Sequence, residues 1–181
     1  MSVDWDAIRN ALPFRKTPED FARRKEIWKR CDLNKNGLVS VFELHKGLGD
    51  VFENQDVFDC RDVILRAHTA AKNKVKSKKS GGDDYVERSE FRLVLLYLRQ
   101  YFEYMVAFKK IDKSNDDRIS LVEFKITQPE IEKWVGKIDP KEAFLEIDTN
   151  GGGLILFNEF VRWATKKSLD LEDDDDYDNQ G

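Results

Sequence analysis

One pattern of apolar and polar positions recurs along the chain. Each copy has an apolar residue or cysteine before an aspartate, then a polar stretch, an apolar residue at position eight and a glutamate at position twelve. Three clear copies begin at Asp32, Asp112 and Asp148, and a fourth, eroded copy lies between Lys79 and Glu90. Such self-similarity is typical of a supersecondary unit that occurs several times in one fold. The spacing of the four starts favours pairing of the first unit with the second and of the third with the fourth.

Helical periodicity flanks each copy. The helix before the first copy begins at Thr17–Asp20, where Thr17 can cap the helix, Pro18 suits the first turn and Asp20 falls at the capping-box position. Its apolar stripe comprises Phe21, Ile27, Trp28 and Cys31. Asp139-Pro140 repeats the start signal before the last copy, and that stripe comprises Ala143, Phe144 and Ile147.

The middle of the chain predicts one long helix. From Phe91 to Phe108 apolar residues are dense and no glycine or proline interrupts them, so this helix leaves the second copy and enters the third. Gln128-Pro129 breaks or kinks the segment after the third copy. The helix that enters the second copy is marked by Val57, Val63, Ile64 and Ala67.

The first copy has oxygen donors at the spacing that a calcium-binding EF-hand loop requires. Calcium takes six to eight hard oxygens, and the twelve-residue loop supplies them from positions 1, 3, 5, 7, 9 and 12, with a tight turn at position 6. The predicted ligands are Asp32, Asn34, Asn36, the Leu38 carbonyl, Ser40 and Glu43, with Gly37 at the turn. Every position is filled, and the match to the EF-hand motif is complete.

The third copy has three charged ligands, the most of any loop, and is predicted to be the strongest or second strongest site. Asp117 replaces the turn glycine, and aspartate is one of the few residues that tolerate a positive φ. The predicted ligands are Asp112, Ser114, Asp116, the Arg118 carbonyl, Ser120 and Glu123.

The fourth copy is predicted to bind weakly. Gly152 leaves position 5 without a side-chain oxygen, and Leu156 leaves position 9 without one. The remaining predicted ligands are Asp148, Asn150, the Leu154 carbonyl and Glu159. An aspartate-rich turn between helices is the alternative for any one loop, but three loops in register favour metal binding.

The second copy is predicted to be structural. With the loop read as Lys79–Glu90, Lys79 occupies position 1, where it repels a cation, and Gly81 leaves position 3 bare. Val86 still stands at position eight, so we expect it to pair with Val39 of the first loop through a short strand bridge. Ile119 and Ile155 are expected to pair in the same way.

Composition indicates a soluble, mostly helical protein. Hydrophobic residues make up 40% of the chain and charged residues 36%, and no apolar run approaches the ~20 residues that cross a bilayer. The N-terminus shows no secretory signal, and two cysteines without a CxxC pair fit a reducing, cytoplasmic setting.

Charge is distributed unevenly. The net charge is -4, but residues 170–178 hold an acidic run without a base, which predicts a disordered tail, with autoinhibition or weak ion attraction as alternatives. A basic run comprises Lys72, Lys74, Lys76, Lys78 and Lys79. This run predicts a solvated stretch, and contact with anionic lipid is the alternative.

Several single residues have weaker claims to function. His45 and His68 lack metal-ligand spacing and are predicted to lie on helix surfaces. Cys31 is predicted to be a core residue at a helix end, with redox sensing as the alternative. Trp134 and Trp163 are predicted to pack in the core, and a partner groove is the alternative.

Several stretches resemble the calflagins, the flagellar calcium-binding proteins of trypanosomatids. They are Trp5–Arg9 with Ala11–Pro13, Glu90–Leu93 with Phe102-Glu103, Glu146–Gly151, Phe157–Phe160, and Trp163-Ala164. The resemblance implies four EF-hands in two lobes, calcium sensing and association with the flagellar membrane. Members of that family carry a myristoylated glycine after the initiator methionine and a palmitoylated cysteine beside it. Ser2 and Val3 stand at those places, so neither acylation is expected here.

We therefore expect an all-α fold of four EF-hands in two paired lobes, with short β bridges between paired loops. The expected divisions are an N-terminal helix (1–16), a first pair of hands (17–100), a second pair (101–168) and an acidic tail (169–181). The leading hypothesis is a calcium sensor or signalling adaptor that binds Ca²⁺. Its expected partner is a protein or a membrane surface, and its expected location is cytoplasmic, flagellar or peripheral to a membrane.

A passive cytosolic calcium buffer is the alternative function. Buffers barely change shape when they bind the ion, whereas sensors expose apolar surface. A calcium-triggered photoprotein is disfavoured because the chain has only two histidines. No catalytic constellation is visible, so no enzymatic activity is expected, and no nucleic-acid partner is expected either.

Overall fold

The predicted caps at Thr17 and Asp139 form at the helix starts, but the predicted capping-box role of Asp20 is wrong. The structure is a computed structural model that describes residues 4–52, 61–74 and 84–167. The Thr17 hydroxyl accepts a hydrogen bond from the Asp20 N–H at 3.2 Å, and Asp139 accepts from two N–H groups of the helix that follows it. Asp20 does not complete a capping box. Its carboxylate accepts from the Arg15 N–H at 2.8 Å and so fixes the chain that leads into the helix.

The described residues form nine α-helices. They are α1 (Trp5–Ala11), α2 (Pro18–Cys31), α3 (Val41–Phe52), α4 (Arg61–Lys74), α5 (Phe91–Ile111), α6 (Leu121–Ile126), α7 (Gln128–Val135), α8 (Pro140–Ile147) and α9 (Phe157–Lys166). The predicted long helix is confirmed as α5 and runs three residues further than expected. The predicted break at Gln128-Pro129 separates α6 from α7.

Two antiparallel strand bridges join the loops in the predicted pairs. The strands are β1 (Leu38–Ser40), β2 (Tyr85–Glu87), β3 (Arg118–Ser120) and β4 (Leu154–Leu156). Val39 lies opposite Val86, and Ile119 lies opposite Ile155. All four side chains are fully buried, so each bridge is also part of a core. The all-α EF-hand fold with short β bridges is confirmed.

The chain divides into two compact units, Met1–Phe102 and Glu103–Gly181, so the boundary falls within α5. In the first unit, α1 packs on the first half of α5, with the Trp5 ring stacked on Phe102 at 5.5 Å between ring centroids. The Arg99 guanidinium lies 4.7 Å from the centre of the Phe14 ring. In the second unit, Phe124 makes edge contacts with Phe144 and Trp163.

Several predicted side-chain positions can be compared with the structure, and Trp134, which the sequence predicts to pack in the core, is only half-buried. The sequence places Phe21 in the apolar stripe of α2, but this side chain is 62% exposed, with the Arg24 guanidinium 5.9 Å from its ring centre. The sequence places His68 on a helix surface, but the side chain is buried. Its pKa is lowered, mainly by burial and secondly by the positive charge of Lys72. Cys31 and Trp163 are core residues, as expected.

Other predictions lie outside the described residues. They concern Ser2, Val3, Val57, Lys76, Lys78, Lys79, Gly81 and the acidic tail. Among the helices that are described, none has both the length and the apolar character needed to cross a membrane.

Candidate metal-binding loops

The three clear loops have the same backbone conformation at two positions. In each, the residues at positions 4 and 6 have positive φ angles, which most side chains avoid. The residues and angles are Lys35 (57°) and Gly37 (79°), Asn115 (58°) and Asp117 (63°), and Gly151 (67°) and Gly153 (79°). Asp117 therefore adopts the turn conformation that the sequence predicts for it.

The aspartate at position 1 organises each turn. Asp112 accepts hydrogen bonds from the N–H groups of Asp116 (3.2 Å) and Asp117 (3.0 Å). Asp32 and Asp148 accept from the equivalent pairs of N–H groups, at 2.8 to 3.1 Å. Because these bonds fold the loop around the carboxylate, all three aspartates are buried while the loop residues after them are exposed.

The glutamate at position 12 begins the exiting helix and bonds back to the end of the strand. Glu123 accepts from the Ser120 N–H at 2.8 Å and from its hydroxyl at 2.7 Å, and Glu43 bonds Ser40 in the same way at 3.0 and 2.9 Å. Glu159 accepts from the Leu156 N–H at 3.0 Å. These contacts fix the carboxylates at the mouth of each loop.

Two of the three glutamates also reach across their loops. Glu123 accepts from the Ser114 N–H at 2.8 Å, and Glu159 accepts from the Asn150 N–H at 3.0 Å. Within the described part of the chain, Glu43 has no such bond, and Ser40 supplies both of its donors. The first loop is therefore the more open of the three at position 12.

Glu123 stays ionised well below neutral pH. Burial raises the pKa of its carboxyl, but the donors of Ser120 and Ser114 outweigh burial and lower the pKa to about 2. The negative charge that a cation needs is thus present over the whole physiological pH range.

Oxygen chemistry fits these loops to calcium. Each offers a buried carboxylate at positions 1 and 12, with amide, hydroxyl or carbonyl oxygens between them, and calcium prefers such hard donors. Among the described residues, no three side chains of the types His, Cys, Asp or Glu converge as a metal cluster. The donor set therefore depends on the neutral oxygens as well as the carboxylates.

Charge and shape distinguish the third and fourth loops. In the third, the Lys109 ammonium lies 3.8 Å from Asp112 and also contacts Asp117, so it partly neutralises the most acidic loop.

In the fourth loop, a Cβ atom on Gly152 would lie 2.7 Å from the Asn150 side-chain oxygen. The Asn150 oxygen accepts a hydrogen bond from the Gly152 N–H at 2.7 Å, so it lies close to the position at which the donor is missing.

The second loop contains a contact that the sequence did not predict. Glu90 is buried, and its two carboxylate oxygens lie 3.2 and 3.1 Å from the Lys72 ammonium. Its carboxylate also accepts from the Glu87 N–H at 2.9 Å. A sequence signal for this contact was available. Ala67 and Ala71 are buried, and they stand five and one positions before Lys72, as buried residues do before the aspartate of the other loops.

Comparison with known proteins identifies relatives of this arrangement. Residues 8–98 match the family model of the FCaBP EF-hand domain. The chain is 37% identical to the flagellar calcium-binding protein of Trypanosoma cruzi over 177 residues, which cover 95% of this chain and 83% of that protein. It is also 37% identical to flagellar calcium-binding protein TB-17 of Trypanosoma brucei brucei, over 99% of this chain and 78% of that protein. Human calcium-binding protein 4 is 24% identical over 82% of this chain.

Proposed function

Since this chain belongs to the family of flagellar calcium-binding proteins, we propose that it is a calcium sensor with three loops that bind the ion and one that does not. The observation that supports the three sites is the shared loop geometry: positive φ angles at positions 4 and 6 around a buried aspartate. The family supports calcium as the ion, and the oxygen donors agree with it.

We assign the ion's ligands loop by loop. The first site consists of Asp32, Asn34, Asn36, the Leu38 carbonyl, Ser40 and Glu43. The site in the third loop consists of Asp112, Ser114, Asp116, the Arg118 carbonyl, Ser120 and Glu123. The site in the fourth loop consists of Asp148, Asn150, the Leu154 carbonyl and Glu159, with two positions left to water.

The glutamate at position 12 links each loop to the helix that follows it. A bound calcium ion would supply the charge that draws this carboxylate towards the aspartate at position 1. Glu123 and Glu159 already bond across their loops, so α6 and α9 need little movement. Glu43 does not, so the start of α3 must move further when the first loop closes. A helix that changes its position with ion binding is what a sensor requires.

Exposed apolar side chains offer a surface to a partner. In the second unit, Val122 and Ile126 share one face of α6 and are 67% and 66% exposed, and Leu145 on α8 is 72% exposed. A protein or a membrane could bury such side chains. The names of the relatives support a flagellar location. We assign no catalytic role to the chain.

Calorimetric titration with calcium, followed by fluorescence of a hydrophobic probe in each end state, tests this function. The control is the triple variant E43Q/E123Q/E159Q, which keeps each side chain's size and removes its charge. Three bound ions with increased probe binding are expected for the wild-type chain, and neither for the control. Binding without new apolar surface would favour a passive buffer, and absence of binding would overturn the proposal.

A further inference from the structure

We infer that Lys72 is the built-in cation of the second hand. By the burial pattern of α4, it stands at the position that aspartate occupies in the other hands, and its ammonium pairs with Glu90, the glutamate at the end of the loop. The inference deepens the proposed function, on which it rests, by explaining how one hand keeps its structure without an ion. It also makes Lys72, rather than Lys79, the residue that corresponds to the first aspartate of the other hands.

The burial pattern of the entering helices gives this register. In each calcium loop, the residues five, four and one positions before the aspartate are buried. They are Ile27, Trp28 and Cys31; Ala107, Phe108 and Ile111; and Ala143, Phe144 and Ile147. Helix α4 has the same pattern in Ala67, His68 and Ala71, which are also buried. The residue that follows is Lys72. Helix α4 continues past it to Lys74, whereas the other three entering helices end directly before their aspartate.

The contacts of Lys72 match the role of an ion between the two ends of a loop. Its ammonium is within 3.2 Å of both Glu90 oxygens, and the two side chains are only 11% and 4% exposed. A buried carboxylate without a positive partner is costly, because burial removes the water that stabilises its charge. In the other hands the residues at the two ends of the loop, aspartate and glutamate, are both buried and both negative. Here the exchange of aspartate for lysine makes the pair neutral by itself.

This ion pair supports the first loop through the strand bridge. Glu90 immediately precedes α5, and it also accepts the Glu87 N–H at the end of β2. Strand β2 is paired with β1 of the first loop, where Val39 and Val86 are fully buried. The Lys72–Glu90 pair therefore keeps one side of the first calcium loop in place before any ion arrives.

Thermal unfolding in the presence of a calcium chelator tests the pair. Lys72→Met removes the charge but keeps the length of the side chain, and Lys74→Met, at an exposed position two residues later, is the matched control. K72M is expected to lower the unfolding midpoint by about 10 °C, since each kcal/mol shifts the midpoint of a small domain by several degrees. K74M is expected to change it by less than about 2 °C. Equal midpoints for the two variants would overturn the inference.

A double variant keeps the test informative if K72M folds poorly. K72M/E90Q removes both charges, and so is expected to regain most of the lost midpoint, because no unpaired carboxylate remains buried. A double variant no more stable than K72M would contradict the pairing. These measurements need no bound calcium, so their failure is distinct from failure of the proposed function.

The effect on the first loop is measured separately. In an E123Q/E159Q background, which leaves the first loop as the one intact calcium loop, K72M is expected to weaken calcium binding at least about fivefold relative to K74M. The fivefold figure corresponds to partial loss of loop preorganisation. Unchanged affinity would overturn the proposed support of the first loop by the second hand.

Discussion

A Cβ atom on Gly47 would lie 2.6 Å from both the Cα and the Sγ atom of Cys31, and 2.9 Å from the Arg30 carbonyl oxygen. Gly47 is in α3, Cys31 ends α2, and the two helices form the first hand. The close approach is therefore possible only because position 47 has no side chain. Since Cys31 directly precedes Asp32, this contact also sets the position at which the first calcium loop begins.

Gly47→Ala is expected to destabilise the protein by about 1 to 3 kcal/mol, the usual cost of overpacking a core. Alanine would otherwise favour the helix by about 1 kcal/mol, but the backbone of Cys31 cannot move aside as a flexible side chain could. Urea unfolding measures the change. A C31A background removes the sulfur and leaves the backbone of residue 31 in the same place. G47A should therefore still be destabilising there, and a neutral effect would contradict the geometry.

The Cys31 thiol is expected to resist alkylation in the folded protein. Burial, and then the carboxylates of Glu43 and Asp50, raise its pKa to about 12. Because the thiolate is the reactive form, it is nearly absent at neutral pH. With Cys60 replaced by serine, iodoacetamide at pH 8 should label Cys31 at least about 100-fold faster in urea than in buffer. Rapid labelling without denaturant would instead support a redox role.

Single substitutions at position 12 are expected to remove one calcium ion each. E43Q, E123Q and E159Q each lose the bidentate carboxylate, which should weaken the altered loop at least about tenfold. Calorimetry gives the number of ions and their affinities. E90Q is the matched control, since its carboxylate is paired with Lys72, and it should leave the number of bound ions unchanged. Loss of an ion in E90Q would show that the second loop binds calcium.

Glu132 is expected to stabilise the calcium-free protein at neutral pH and to lose this effect in acid. The Lys137 ammonium (2.7 Å) and then the Gln128 amide (3.0 Å) lower its pKa to about 2. A lowered pKa stabilises the fold above the ordinary carboxyl value, and this contribution is lost as the pH falls from about 5 towards 2.

Thermal midpoints measured across that pH range test the Glu132 prediction. E132Q should be less stable than the wild type at pH 7 and should lose less stability on acidification. K137M should behave like E132Q, because it removes the largest cause of the lowered pKa. If the thermal midpoint changed equally with pH in the wild type, E132Q and K137M, the role of Glu132 would be contradicted.

Gly152→Asp is expected to strengthen the fourth loop. The new carboxylate supplies the missing donor at position 5, and added ligand charge raises calcium affinity, here by about tenfold. The Cβ atom displaces only the end of the Asn150 side chain, which can rotate. Calorimetry of the E43Q/E123Q background isolates this loop. Gly152→Ala adds the same Cβ without a donor, so equal affinities of the two variants would contradict the prediction.

The sequence predicts those parts of the fold that depend on local chemistry. Thr17 and Asp139 mark helix starts because their side chains bond N–H groups within the same turn, and Asp117 adopts the turn that its residue type permits. The partners of the two strand bridges follow from position eight of each loop, which in the second hand is found by counting back from Glu90 as position twelve. All of these depend on residues a few positions apart or on a repeated register.

The wrong predictions depend on contacts that periodicity does not contain. Phe21 lies two turns before Trp28 on the same face of α2. A periodic pattern identifies the apolar face of a helix, but it does not show how much of that face is packed against other elements. His68 occupies the position that Trp28, Phe108 and Phe144 occupy in the other entering helices. A loop start placed at Lys79 conceals that equivalence, and with it the partnership of Lys72 and Glu90.

The two strand bridges connect unlike pairs of loops. Ile119 and Ile155 join two loops that each have carboxylates at positions 1 and 12, whereas Val39 and Val86 join one such loop to a loop with its own cation. Cooperativity is a coupling free energy between two sites, so it requires that both can fill. On the proposed function, two loops that both fill allow the second unit to respond steeply, while the first loop is expected to fill alone and in a graded way. One chain would thus read a rise in calcium both as a threshold and as a level.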